Sequence, residues 1–323
     1  DGRQVISGSD DNTIKVWSIE TKEAIHTLRS HSDSIRAVAV TPNGRQVISG
    51  SDDNTIKVWN IETEDAIHTL TGHSGWISAV AVTADGKQVI SASGDNTIKV
   101  WSIETGEEIR TLTGHSNLVR TVAVTADGKQ VISGSDDNTI KVWSIETGEE
   151  IRTLTGHSNL VRTVVLTPDG KQIISASFDK TIKVWSIETG EEIRTLTDHI
   201  NWGKAVALTP DGKQVISGSD DYTIKVSSIE TGEEIYALTG HSNLVNALAV
   251  TPNGKQLISG SDDYTIKVWS IEAKTGAETE IASFPGESPI YCCAVALDGM
   301  TIVAGEYLGN LHFLSLEGME TQP

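Results

Sequence analysis

Cysteine is almost missing from this 323-residue chain: there are two, Cys292 and Cys293, side by side. Neighbours on a strand point to opposite faces, so a disulfide between them would be strained, and the pair offers no metal-ligand spacing. Two ordinary thiols predict a reducing, cytoplasmic setting. Long apolar runs are also missing, which leaves no membrane-spanning candidate, and no signal-peptide pattern opens the chain. Cations are short: 25 Lys and Arg face 44 Asp and Glu, a formal net charge of −19. That balance excludes a general binder of nucleic acid or anionic membrane, whose phosphates must be met by clustered Lys and Arg. Neither G-x-x-x-x-G-K-[ST] nor G-x-S-x-G occurs, so no nucleotide loop or nucleophile elbow is expected. The first residue, Asp1, falls inside a repeat, and the chain therefore reads as a piece of a longer protein.

What is present is tryptophan, eight of them against three phenylalanines. Trp17, Trp59, Trp101, Trp143, Trp185 and Trp269 stand on a ladder of 42 residues, with Ser227 on the missing rung. Around each rung the text is TIKVWSIE or a near copy. Upstream lie QVISGSD, a turn such as TADG, and an apolar run such as RTVAV. An eighth, degenerate copy closes the chain with Leu314 in the tryptophan's place. The runs alternate with period two and are bounded by turn residues, so each unit is four short antiparallel strands. One such sheet cannot bury both faces, and repeated units must pack on each other. A period of 40–45 residues with four strands per unit is the signature of an all-β single β-propeller.

The GH pairs at 72–73, 114–115, 156–157 and 240–241, the aspartate six residues before each tryptophan and the tryptophan itself resemble the WD-repeat family along essentially the whole chain. Trp-Ser or Trp-Asn stands where the family has Trp-Asp. The chain is read as one domain, 1–323. Its blade segments are approximately 1–29, 30–71, 72–113, 114–155, 156–197, 198–239, 240–284 and 285–317, with 318–323 a tail. Eight third-strand segments favour eight blades. The alternative pairs an N-terminal outer strand near Ala24–Leu28 with the last three strands, giving seven.

A Ser, a His and an Asp within each copy invite a hydrolase reading. The resemblance implies a structural brace instead, in which the histidine bonds the serine and the turn aspartate and the network reaches the indole. The sets carried over are His31, Ser49, Asp53, Trp59; His73, Ser91, Asp95, Trp101; His115, Ser133, Asp137, Trp143; His157, Ser175, Asp179, Trp185; and His241, Ser259, Asp263, Trp269. The sixth copy departs, with Asp198, His199 and Ser227. No oxyanion hole is marked, and five equivalent active sites in one chain would be odd.

Function is expected at the loops. The acids of ETGEE, such as Glu104, Glu107 and Glu108, recur on one rim and read as a solvated face. The opposite, top face varies between copies. By family analogy, positions three and five after the histidine look into the central mouth, which brings in Arg36, Trp76, Arg120, Arg162, Trp202, Lys204 and Tyr291. Residues before the turn aspartates add Asp52, Asp136, Phe178, Asp220 and Asp262. Tryptophan and arginine at such a mouth have hot-spot composition, and Trp76 and Trp202, off the structural ladder, are read as exposed. The expected function is a non-catalytic scaffold or sensor that binds a protein or peptide, as a monomeric propeller with no cofactor or metal. The closing segment, PIYCCAVALDGMTIVAGEYLGNLHFLSLEG, is similar to that of bacterial propellers fused to nucleotide-switch ATPases, which implies a signalling parent. An enzyme with its site in the central channel and a purely structural spacer are the alternatives.

Overall fold

The computed structural model describes residues 3–196, 203–271, 280–296 and 298–316. Thirty strands and no helix are found among them. They form eight separate antiparallel sheets, each built from consecutive strands and arranged as the blades of a ring. The fourth blade is representative. Its inner strand, Val119–Val124, is followed outward by Gln130–Ser135, Ile140–Ser144 and Glu150–Leu154. Turn chemistry matches the sequence: Gly128 (φ 68°) and Asn138 (φ 70°) both take the left-handed conformation, which glycine adopts freely and asparagine tolerates.

Blades hold together through their faces. Trp143, 1% exposed, packs against Ile90, Ile98, Val100 and Leu112 of the third blade. A buried tryptophan removes about 150–250 Å² from water, roughly 4–6 kcal/mol per blade junction before entropy is counted. Trp59, Trp101, Trp185 and Trp269 repeat this packing on the blade before each. Outer-strand side chains add latches at the lower rim. Arg110 Nε donates to the Ile145 carbonyl (3.2 Å), Arg194 Nη1 to that of Thr231 (3.2 Å) and the Tyr236 hydroxyl to that of Ile271 (3.1 Å).

The first and last blades have three strands each: Gln4–Gly8, Thr13–Ser18 and Ala24–Arg29, and Ile290–Val295, Thr301–Glu306 and Leu311–Ser315. The seven-bladed closure is thereby overturned. Ala24–Arg29 pairs with Thr13–Ser18 in its own sheet and takes no strand from the end of the chain. The two short blades meet face to face, with Trp17 and Phe313 6.0 Å apart. Between them a cavity of about 280 Å³ is lined by Val5, Gly8, Ile35, Cys293 and Leu311.

Candidate functional site

In the fourth blade His115 Nδ1 lies 2.7 Å from Asp137 Oδ2 and Nε2 lies 2.8 Å from Ser133 Oγ, which also receives the Trp143 indole N–H at 2.9 Å. The spacing is that of a catalytic triad, yet Ser133 exposes none of its surface. Its oxygen has no approach for a substrate. One proton arrangement pairs every polar atom: indole N–H to serine, serine O–H to one histidine nitrogen, and N–H of the other to carboxylate. Asp137 also accepts from the Ser116 amide (3.0 Å) and from the Thr139 amide and hydroxyl (2.9 and 2.6 Å). The same contacts recur in the blades of His31, His73, His157 and His241. In the first blade, which has no such histidine, Trp17 still bonds Ser7 (2.9 Å). Asp198 and His199 lie outside the described residues.

Titration follows the wiring. Burial alone would raise the Asp53 pKa, but hydrogen bonds from Thr55, the Ser32 amide and His31 outweigh it and bring the value down to about 2. Burial lowers the pKa of His31, His73 and His241 against the support of their aspartates. Both shifts favour neutral histidine beside charged aspartate, the state this proton arrangement requires.

A second set of contacts is not foreseen from the sequence. Lys141, 8% exposed, reaches Glu150 Oε2 (2.7 Å) and Thr153 Oγ1 (2.6 Å) and lies 5.9 Å from the Trp143 ring centre. Lys99 with Glu108, Lys183 with Glu192 and Lys267 with Glu280 repeat the ion pair. Glu108 thus stays exposed at the rim while one of its oxygens is held by Lys99. Glu104 and Glu107 are exposed as well.

The mouth is built by a β-bulge. On the inner strand Val119 faces Ser135 and Thr121 faces Gly134, so Arg120 between them has no partner and its side chain is turned into the channel. The same irregularity falls at Arg36, Ser78, Arg162, Asn246 and Tyr291. Arg36 bonds Asp52 through Nε (2.9 Å) and Nη2 (2.6 Å) and reaches Asp10 at 3.4 Å. Arg120 and Asp136 pair fork to fork at 2.7 and 2.6 Å. Asn246 donates to Asp262 at 2.6 Å. Tyr291 meets Tyr307 edge to face, 5.6 Å between ring centres. Tyr307 occupies the position that Asp262 has in the seventh blade, since the amides of Tyr307 and Asp262 bond equivalent carbonyls. Aligning GEYLGN with GSDDYT would have revealed it. Asp220 is buried. Trp202 and the side chain of Lys204 lie outside the described residues.

Trp76 is half-buried, not exposed as its position off the ladder suggested. A Cβ on Gly94 would sit 2.7 Å from Trp76 Nε1, so the glycine leaves the room in which the indole lies. Arg120 approaches the same ring at 6.0 Å. Arg36, Asp52, Trp76, Ser78, Arg120 and Arg162 share one open cavity of about 900 Å³.

The profile of the family described as WD domain, G-beta repeat matches residues 1–18, 22–60, 64–102, 106–144, 148–186, 190–226 and 232–270. Each matched unit after the first straddles two blades. The span 106–144, for example, takes the outer strand Glu108–Leu112 of the third blade and the three inner strands of the fourth.

Proposed function

Because the chain belongs to the WD domain, G-beta repeat family, a fold that generally serves as a protein-interaction scaffold, we propose that it recognises a protein or peptide partner at its top face and central mouth, without catalysing a reaction. The observation that carries this reading is the cavity of about 900 Å³ where Trp76 and three arginines of successive blades converge. It lies on the face where the copies differ, whereas the lower rim repeats the same acids. Tryptophan and arginine are the residue types that dominate binding energy at protein interfaces. The buried serines argue against hydrolysis by the Ser-His-Asp sets, since a nucleophile must meet its substrate. We further infer a cytoplasmic, monomeric propeller that is the sensor end of a larger bacterial signalling protein. The likeness of the closing segment to ATPase-fused propellers supports that.

Affinity capture from a native lysate tests the assignment. Trp76→Ala with Arg120→Gln is expected to reduce partner recovery about tenfold or more, while Glu104→Ala with Glu107→Ala leaves it intact. Equal recovery with the mouth variant and the wild type, at matched melting temperature, refutes the mouth as the binding face.

A further inference from the structure

In the second to fifth, seventh and eighth blades the mouth has one residue on the inner-strand bulge and one at the turn. Arg36 has Asp52, Arg120 has Asp136 and Asn246 has Asp262. Where the turn has no acid the bulge has no cation: Ser78 goes with Gly94, and Tyr291 with Tyr307. The fifth blade breaks the rule. Arg162 stands on its bulge, in register with Arg120, but the turn residue is Phe178. Among the described residues Arg162 makes no hydrogen bond or ion pair. The carboxylate whose charge reaches it, Asp136, is already held at both oxygens by Arg120.

We propose that Arg162 is the receptor for a carboxylate supplied by the partner, an Asp or Glu side chain entering the mouth beside Trp76. The choice of carboxylate follows from the other blades. Arg36 and Arg120, on the same bulge, each take an aspartate of their own blade. Arg162 has the same strand position but lacks the internal acid. A guanidinium without a fixed partner keeps its donors for a ligand, and its planar fork suits a two-oxygen acceptor. The surroundings agree. Arg162 opens onto the mouth, but the channel walls partly screen it from water and the neighbouring charge of Arg120 adds to this, so its pKa lies below the ordinary arginine value, with Asp136 only partly offsetting. An incoming negative charge relieves both penalties. The cavity at this point also contains Thr163 and Thr121, further polar neighbours for the ligand. The −19 of the whole chain slows the approach of an acidic partner at low salt, but contact pairing is decided within a few ångströms.

This rests on the mouth-recognition reading above, and the test separates the two. Side-chain Nε–H signals of the arginines are followed by NMR while sodium acetate, and separately inorganic phosphate, is added to the whole chain. The Arg162 signal is expected to shift saturably with acetate, with Arg120 and the exposed Arg45 moving little. Phe178→Asp, which restores the residue found in sibling blades, is expected to abolish the shift, as is Arg162→Gln. An array of capped octapeptides then carries Asp or Glu, their amides, or phosphoserine at the centre. Acidic peptides should bind about tenfold or more above their amides, and lose that margin in both variants. If Arg162 moves no more than Arg45, or phosphoserine alone binds, the carboxylate assignment fails. If peptides bind regardless of charge and only Trp76→Ala removes them, the mouth reading survives and this inference does not.

Discussion

Consider Ser133→Ala. The substitution deletes one oxygen that serves two buried neighbours, the Trp143 indole at 2.9 Å and His115 Nε2 at 2.8 Å. Both residues are nearly inaccessible, at 1% and 8% exposure, so bulk water does not take over. Each stranded polar group costs about 1–3 kcal/mol, which gives roughly 2–6 kcal/mol for the pair. The first blade supplies the control. Ser7 accepts the Trp17 indole at 2.9 Å, but no such histidine is present and both residues are half-buried. Ser7→Ala therefore strands one group that water can reach, and should cost less than about 1 kcal/mol. With an unfolding entropy of about 0.7 kcal/mol/K for a chain of this size, the expected falls in melting temperature are about 3–9 °C and under about 1.5 °C. Far-UV circular dichroism melts of the two variants read this directly. Equal falls would mean that the histidine end of the network contributes nothing, and that the brace is an ornament on packing driven by tryptophan alone.

Acidification should destabilise the protein in two steps. The histidines with lowered folded pKa values, His31, His73 and His241, contribute stability that is present above about 6.5 and lost as pH falls below it. Asp53, lowered to about 2, contributes stability present above about 3.9 that is lost as pH falls towards 2. Relief of the net negative charge has the opposite sign, so melts at about 0.5 M salt, where that repulsion is screened, isolate the effect. A melting temperature that rises from pH 7 to pH 4.5 would refute it. Gly94→Ala should push the Trp76 ring off its seat, because the new Cβ falls 2.7 Å from Nε1. The indole N–H signal of Trp76 should move, and an unmoved signal would show that the ring is held elsewhere.

The brace was legible because the histidine, serine, aspartate and tryptophan of each copy stand at the positions of the WD-repeat motif that the sequence resembles, and the family's network could be carried over residue by residue. The lysine of TIKVW was not. Alternation assigns residues to two faces of a strand, and a reader expects one face to be wet. In a stacked blade both faces are covered, so Lys141 and Ser133, directly paired across strands, are both buried. Lysine could enter only with Glu150 and the Trp143 ring to receive its charge. At the mouth the sequence placed Arg36, Arg120 and Arg162 correctly on the inner strand, but it could not show that two have their carboxylates in hand and the third has none. That distinction depends on a bulge and on a side chain, Phe178, sixteen residues away.

The meeting of the first and eighth blades has a mechanical consequence. Every other junction in the ring is crossed by the polypeptide, from the outer strand of one blade to the inner strand of the next. Here, among the described residues, no strand pairing or connection crosses the junction, and Trp17 stands near Phe313. The described residues thus tie this seam least, and the expected softest motion is a gap opening there. Amide exchange should be fastest in strands Gln4–Gly8 and Ile290–Val295, and slow in the fourth and fifth blades diametrically opposite. Uniform protection around the ring would show that the seam is as tight as the junctions the chain itself ties.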